Sequence, residues 1–303
     1  TSRFSSSQVG GSSSTILGVA VFNNGVVAAQ STNVYFGTGS SWTSIDSGRT
    51  SAGRYRFEKY NFSTNEERLI FADGANFASV YNGTTVMDIK GATTISTTGS
   101  ASNSSTSLSV SSAAGIMEGM YIGGTNIGSG AKVSSISGTT VTMSVATTGT
   151  ISSGSVTFAG LGTAPSDPSM VTAFKNHMFY AGMSAEPNTI VFSAIGDEND
   201  FTASNGAGSL NVDSTIIALK SFRGELIIFC EDRIYKLAGN ALADFAIAPI
   251  SRNVGCSDAF SIQEIGGDVI FLAPDGLRTI AGTARIGDVE LGTVSKQIQA
   301  RIS

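Results

Sequence analysis

The sequence predicts an all-β protein, a β-propeller interrupted by a small inserted β module, and three observations predict it. Charged residues make up only 14% of the 303 residues, while glycine reaches 36 and Ser and Thr fill the gaps between apolar runs. Soluble globular domains typically carry about 25% charge, so this chain is small, uncharged and turn-rich, as all-β proteins are. Second, five segments share one pattern: an apolar strand, a turn and a returning strand. Third, equivalent residues in these segments recur every 43 to 48 positions, the length of a four-stranded propeller blade.

The first segment runs Gly25–Gln30, turns at Ser31 to Asn33 and returns through Val34-Tyr35-Phe36. In the second, Arg68–Ala72 turns at Asp73-Gly74 and returns through Ser79-Val80-Tyr81. The third pairs His177–Ala181 with Thr189–Ser193, and the fourth Glu225–Cys230 with Arg233–Leu237. In the fifth, Asp268–Ala273 crosses Pro274-Asp275-Gly276 into Leu277–Ile280. Asp-Gly between apolar runs is a strong hairpin signal, because glycine reaches the positive φ that the turn demands. Stacking such units in a ring buries sheet faces that a lone sheet would leave wet.

One interval breaks the period. Leu69 to Met178 spans 109 residues, and the composition changes inside it: from Thr94 to Ala159 there is no Arg, and Tyr121 and Phe158 are the only aromatics. Without that stretch the interval returns to the repeat length. Residues 1–93 and 160–303 are therefore expected to form the propeller, with 94–159 as the insert. Within the insert, Ser107–Val110, Lys132–Ile136, Val141–Val145 and Ser155–Phe158 alternate apolar and polar residues. Ser137–Thr140 supplies a turn, and the alternation predicts a small β-barrel or sandwich with one buried face. Only Ser295 to Ile302 has a helical composition.

The formal net charge is −5, from 18 basic and 23 acidic side chains. The densest basic stretch, Arg49 to Lys59, holds four cations and one acid, which argues against phosphate-driven nucleic-acid binding. Cys230 and Cys256 have no spacing motif and read as buried free thiols. No run is long enough for a membrane helix. The start, Thr1-Ser2-Arg3-Phe4, is expected to reflect processing or a longer parent chain.

Little in the sequence points to chemistry, and it predicts no catalytic residue, no cofactor and no metal. The single histidine, His177, opens a strand and reads as a strand-edge residue. One His and two distant Cys do not make a zinc site. Gly196 to Phe201 is the densest acidic run, but it lacks a full calcium-loop pattern. It reads as a turn whose Asp and Asn side chains bind backbone amides while Phe201 pins the loop. Gly123-Gly124 and Gly206-Ala207-Gly208 lack the Lys-Ser/Thr of a phosphate loop.

From Val171 onward the chain resembles the nozzle, or packaged-DNA-stabilisation, proteins of short-tailed bacteriophages. The likeness is carried by Phe174–Gly182, Asn188–Ser193 and the Gly196-Asp197 to Asn199-Asp200-Phe201 loop. It continues through Ile216–Phe229, Arg233–Leu237, Asn253-Val254-Gly255-Cys256, Asp268–Phe271, Pro274–Leu277 and Ser295–Ile298. It covers about 130 residues, the N-terminal part agreeing by period alone. The resemblance implies a virion protein assembled in the host cytoplasm, in a ring, usually hexameric, below the portal and adaptor. Its bore would retain and conduct genomic DNA without sequence-specific binding, with tail fibres or spikes as further partners. It implies no enzymatic site. Two features depart from the family: the 94–159 insert, and a chain that stops soon after its fifth repeat.

A conduit also needs a surface that does not trap phosphates, so Asp and Glu are expected to exceed Lys and Arg on bore-facing loops. The insert is expected on the outside, as a contact module or a spacer. Two other readings fit the same composition: a secreted propeller that binds or cleaves carbohydrate, and a structural protein from another virion location. Trp42 is the only Trp, which counts against a sugar-stacking site.

Overall fold

The computed structural model describes residues 8–11, 13–39, 41–50, 53–62 and 67–281. Thr1–Phe4 and the helical-looking Ser295–Ile302 lie outside these residues. The fold is almost entirely antiparallel β, with three single turns of 3-10 helix among the described residues. The chain divides into two compact units: Thr1–Asp88, Pro165–Phe192 and Ser209–Ser303 form the first, and Ile89–Ala164 with Ser193–Gly208 the second.

The first unit opens with strands β1 (Ile16–Phe22), β2 (Gly25–Gln30), β3 (Asn33–Gly37) and β4 (Trp42–Asp46), hydrogen-bonded in that order. A second sheet repeats the arrangement with β5 (Arg56–Tyr60), β6 (Arg68–Ala72), β7 (Ser79–Tyr81) and β8 (Val86–Asp88). The second unit then supplies β9 (Gly91–Ala92), β10 (Ile95–Ala101), β11 (Ser107–Val110), β12 (Ile122–Gly124), β13 (Val133–Ser137), β14 (Thr140–Met143), β15 (Ile151–Phe158) and β16 (Gly162–Thr163). The first unit resumes with a third meander, β17 (Met170–Phe174), β18 (His177–Ala181), β19 (Thr189–Phe192) and β20 (Gly208–Asn211). A fourth follows, β21 (Ile216–Phe222), β22 (Glu225–Cys230), β23 (Ile234–Ala238) and β24 (Ala246–Ser251). The last sheet has three described strands, β25 (Gln263–Ile265), β26 (Asp268–Ala273) and β27 (Gly276–Thr279).

The five hairpins read from sequence are therefore the second and third strands of five successive sheets. Each sheet also has a strand in front of its hairpin, and local chemistry explains how it joins. Two-residue turns link β1 to β2 (Asn23-Asn24), β17 to β18 (Lys175-Asn176), β21 to β22 (Arg223-Gly224) and β25 to β26 (Gly266-Gly267). All eight residues have positive φ, between 46° and 77°. That is the twist-matched hairpin turn, favoured by Asn and Gly because they tolerate the left-handed region.

A second feature repeats. The backbone at or beside the turn between second and third strands is tied to the chain entering the next sheet. Arg49 N–H donates to the Thr32 carbonyl (3.1 Å) and Gly74 N–H to the Pro168 carbonyl (3.0 Å). Ile216 N–H donates to the Pro187 carbonyl and Cys256 N–H to the Cys230 carbonyl, both at 2.9 Å. The Gly74–Pro168 bond joins residues on either side of the second unit in sequence. The repeat is thus one of hydrogen bonds as well as spacing.

The second strands β2, β6, β18 and β22 are buried along nearly their whole length because both sheet faces are covered, so they read as continuous apolar runs rather than alternating ones, while β26 of the last sheet is buried at alternate positions. In β22, Leu226, Ile228 and Cys230 pack with Phe179, Ile190 and Phe192 of the third sheet. Ile227 and Phe229 face the other way, onto Val269 and Phe271 of the fifth. The Phe229 and Phe271 ring centroids lie 5.2 Å apart. Burying each such side chain contributes about 1.5–3 kcal/mol.

The second unit is built on a six-stranded sheet, ordered β12-β15-β10-β11-β14-β13. It curls into a half-barrel far enough for its edge strands to approach. An isolated bridge pairs Tyr121 with Lys132. Ile122 N–H donates to Ala131 O at 2.8 Å, and Val133 N–H to Met120 O at 2.9 Å. The alternation in β11 and β14 sends Leu108, Val110, Val141 and Met143 into a core with Val156 and Phe158, leaving Ser107, Ser109, Thr140 and Thr142 exposed. β9 and β16 pair with each other and bracket the sheet in sequence, so this unit runs past the expected 94–159 bounds. It also takes in the acidic loop Ser193–Gly208.

Candidate functional site

His177 opens β18, as the sequence indicated, but it is not a strand-edge residue. It is fully buried in an aromatic cluster, 5.6 Å from Phe192 and 5.4 Å from Phe245 between ring centroids. The reason is that β18 is the second strand of its sheet, covered on both faces. A histidine there acts as a core ring.

The acidic loop is built as a set of capped turns. Asp197 accepts from Asn199 N–H (3.0 Å) and Asp200 from Thr202 N–H (2.8 Å). Asp200 also accepts from the Asn205 amide at 2.7 Å. Phe201 is half-buried and holds the loop through its backbone, with its N–H on the Leu161 carbonyl at 2.6 Å. The Asn199 side chain does not bind a backbone amide: it is buried, and its amide has no hydrogen-bond partner among the described residues. Burial, then the charges of Glu198 and Asp200, push the Asp197 carboxyl up, against Asn199 N–H and Lys132, whose Nζ lies 3.4 Å away. Among the described residues no three His, Cys, Asp or Glu side chains gather as metal ligands. None of their helices is long and apolar enough to cross a membrane.

Cys230 and Cys256 are free and buried. Their backbones are hydrogen-bonded, yet the side chains belong to different cores, Cys230 with the third sheet and Cys256 with the fifth. Desolvation pushes the Cys230 thiol up to about 12 and raises Cys256 as well.

A concavity lies on the first strands, a part of each sheet that the five-hairpin pattern had not included. It measures about 580 Å³ and is walled by Val19 and Val21 of β1, Arg56 to Lys59 of β5, and Phe260. Val19 and Val21 are 62% and 68% exposed. A smaller hollow of about 180 Å³ shares Arg56 and Glu58 and is completed by Thr172 of β17 and Lys220 of β21. Glu58 Oε1 accepts from Ala173 N–H at 3.3 Å and Thr172 Oγ1 at 3.5 Å. Desolvation dominates and raises its pKa, against these bonds and the charge of Lys220. The basic stretch of the sequence thus has three fates. Arg49 is buried among acids, Lys59 pairs with Glu67 at 3.6 Å, and Arg54 and Arg56 converge on Phe260.

No protein-family model matches the chain, and no curated protein matches it. Solved structures similar to it include the computationally designed Ika4 protein, at 11% identity and TM-score 0.34, covering 80% of this chain and 95% of that one. The extracellular domain of BT4673 from B. thetaiotaomicron aligns at 12% identity and TM-score 0.37, covering 90% of this chain and 32% of that one. Saccharomyces cerevisiae Sqt1 aligns at 10% identity and TM-score 0.36, over 84% and 69%.

Proposed function

We propose that this chain is a structural subunit of a bacteriophage tail, a nozzle protein whose five meander sheets are blades of a β-propeller. One observation carries the propeller reading. Successive sheets are joined by the same turn-to-connection hydrogen bond, and their first strands run side by side, β1 beside β5, β5 beside β17, β17 beside β21. Units with these relations, repeated in one rotational sense, form a wheel. The phage assignment rests on the sequence resemblance from Val171 onward. In this reading the subunits form a ring, probed first as a hexamer, below the portal and adaptor. DNA passes through a bore whose loops carry more Asp and Glu than Lys and Arg. The curled second unit serves as a contact module for fibres, spikes or neighbouring subunits. Rigidity supplies the function, and no bond is made or broken.

Peptide mass spectrometry of particles purified from cells that produce this protein tests the assignment. The expected result is the chain in fixed ratio to portal and adaptor proteins. Finding it only in the medium, separate from particles, overturns the assignment.

A further inference from the structure

Arg54 and Arg56 form an unusual pair. Their guanidinium carbons lie 4.9 and 4.1 Å from the centroid of one ring, Phe260, which is itself 40% exposed. Two like charges therefore approach one aromatic ring. Arg56 has one further bond, to the Ala259 carbonyl at 3.4 Å. Among the described residues neither guanidinium has a carboxylate within ion-pair distance, whereas Arg49, Arg233 and Arg278 each do. Burial lowers the Arg56 pKa, although the charge of Asp258 works to raise it. A half-buried cation beside a second cation costs free energy unless an anion joins them.

Arg56 and Phe260 also line the concavity of about 580 Å³ on the first strands, together with Glu58 and Lys59, and its volume falls in the range of about 300–1,000 Å³ found for ligand sites. Val19, Ala20, Val21 and Leu69 give the concavity an apolar part. Val19 and Val21 are two residues apart on β1 and stand on one face of the strand, about 7 Å from each other along it. That spacing matches the side chains on one face of a second extended strand.

We infer that the concavity lined by Arg56 and Phe260, with Arg54 beside it on the Phe260 ring, is a binding site for an extended acidic peptide segment with apolar residues at alternate positions. Its carboxylates bridge the two guanidiniums, and its apolar side chains cover Val19 and Val21. Arg binds carboxylates in a planar, two-pronged geometry, and the flanking aromatic ring keeps the fork oriented. A bare phosphate or a nucleic-acid backbone satisfies the arginines but leaves the valine wall wet, so the peptide is the better complement. This site is independent of the nozzle assignment.

Fluorescence anisotropy of a labelled octapeptide of alternating Glu and Val, added to the whole chain, tests the inference. Saturable binding that weakens with salt is expected, with at least about tenfold weaker binding in the double variant Arg54→Gln/Arg56→Gln. Near-ultraviolet circular dichroism checks that the variant is folded. If it is not, Val21→Asp, a surface change that places a repelling charge on the wall, gives the same comparison. The matching Lys–Val octapeptide is expected not to bind. Absent binding, equal binding by wild type and the folded variant, or tighter binding of a labelled single-stranded oligonucleotide each overturns the proposal.

Discussion

Arg49, on the connection from β4 to β5, places its Nη2 3.1 Å from Oδ2 of Asp73, at the turn between β6 and β7, and both side chains are buried. The same guanidinium donates to Asp46 at 3.0 Å, to Ser79 Oγ at 2.7 Å and to the Phe77 carbonyl at 3.1 Å. Burial works against its charge, but Tyr55, Asp73 and Asp46 outweigh it, so its pKa lies above the ordinary value. Asp73 in turn accepts the N–H groups of Ala75 (3.0 Å) and Asn76 (2.9 Å), so one ion pair fixes both a turn and the joint between two sheets.

Removing one member strands the other in a low-dielectric site. Arg49→Met is expected to cost about 3–5 kcal/mol, as broken buried pairs do. Urea denaturation of Arg49→Met, Asp73→Asn and the double variant checks this. The double variant should lose clearly less than the sum of the singles. Additive losses would mean that the pair is not coupled.

Gly255 lies where the chain entering the fifth sheet crosses the end of β22, just before the Cys256 N–H that bonds to Cys230. A Cβ at this position would collide with the Glu231 carbonyl and the following peptide. Gly255→Ala should therefore destabilise the protein by about 1–3 kcal/mol, as overpacking does. The exposed Gly224, with open space around it, has no such collision. Its positive φ limits the cost of Gly224→Ala to about 1 kcal/mol. Parallel thermal melts of the two variants rank these costs.

Glu58 predicts a pH dependence. Its folded pKa is raised, chiefly by burial, so at acid pH it is protonated in folded and unfolded states and exacts no penalty. As the pH rises through the window between the ordinary and the raised value, the unfolded chain releases its proton first, and stability falls. Glu58→Gln removes that penalty. Its melting temperature should exceed that of wild type near neutral pH, and the difference should shrink towards about pH 4. A constant difference at all pH values would contradict an origin in the Glu58 proton.

Both thiols are buried with raised pKa values. Because thiolate is the reactive form, neither should react appreciably with a disulfide reagent such as DTNB in the folded protein. Both should titrate once the chain is unfolded in guanidinium. Fast native reaction at Cys256 would show that its pocket opens.

Much of this architecture was legible, for physical reasons. Second strands announce themselves because both their faces are buried: Leu69 to Ala72 and Leu226 to Cys230 have no polar residue to break the run. First strands do not. β1 is an apolar run, Ile16 to Phe22, but exposes Val19 and Val21, and β25 is exposed throughout, so neither carries the full burial of a second strand. Their signal lay in the turns that follow them, Asn23-Asn24, Lys175-Asn176, Arg223-Gly224 and Gly266-Gly267. The concavity was hidden for a related reason. Arg54 and Arg56 were visible as a basic stretch, but Phe260 lies some two hundred positions away, and only the return of the chain to β5 brings it there. For His177 the burial follows from the strand's place in its sheet, which one hairpin cannot reveal.

The central claim is that five equivalent sheets form one wheel in a subunit of a tail ring. A cryo-electron microscopy reconstruction of purified particles tests it most directly. The predicted result is a ring below the portal whose subunits arrange all five meander sheets around a single axis, with more carboxylates than cations facing the bore. Sheets that do not share an axis, or a bore lined mainly by Lys and Arg, would contradict it.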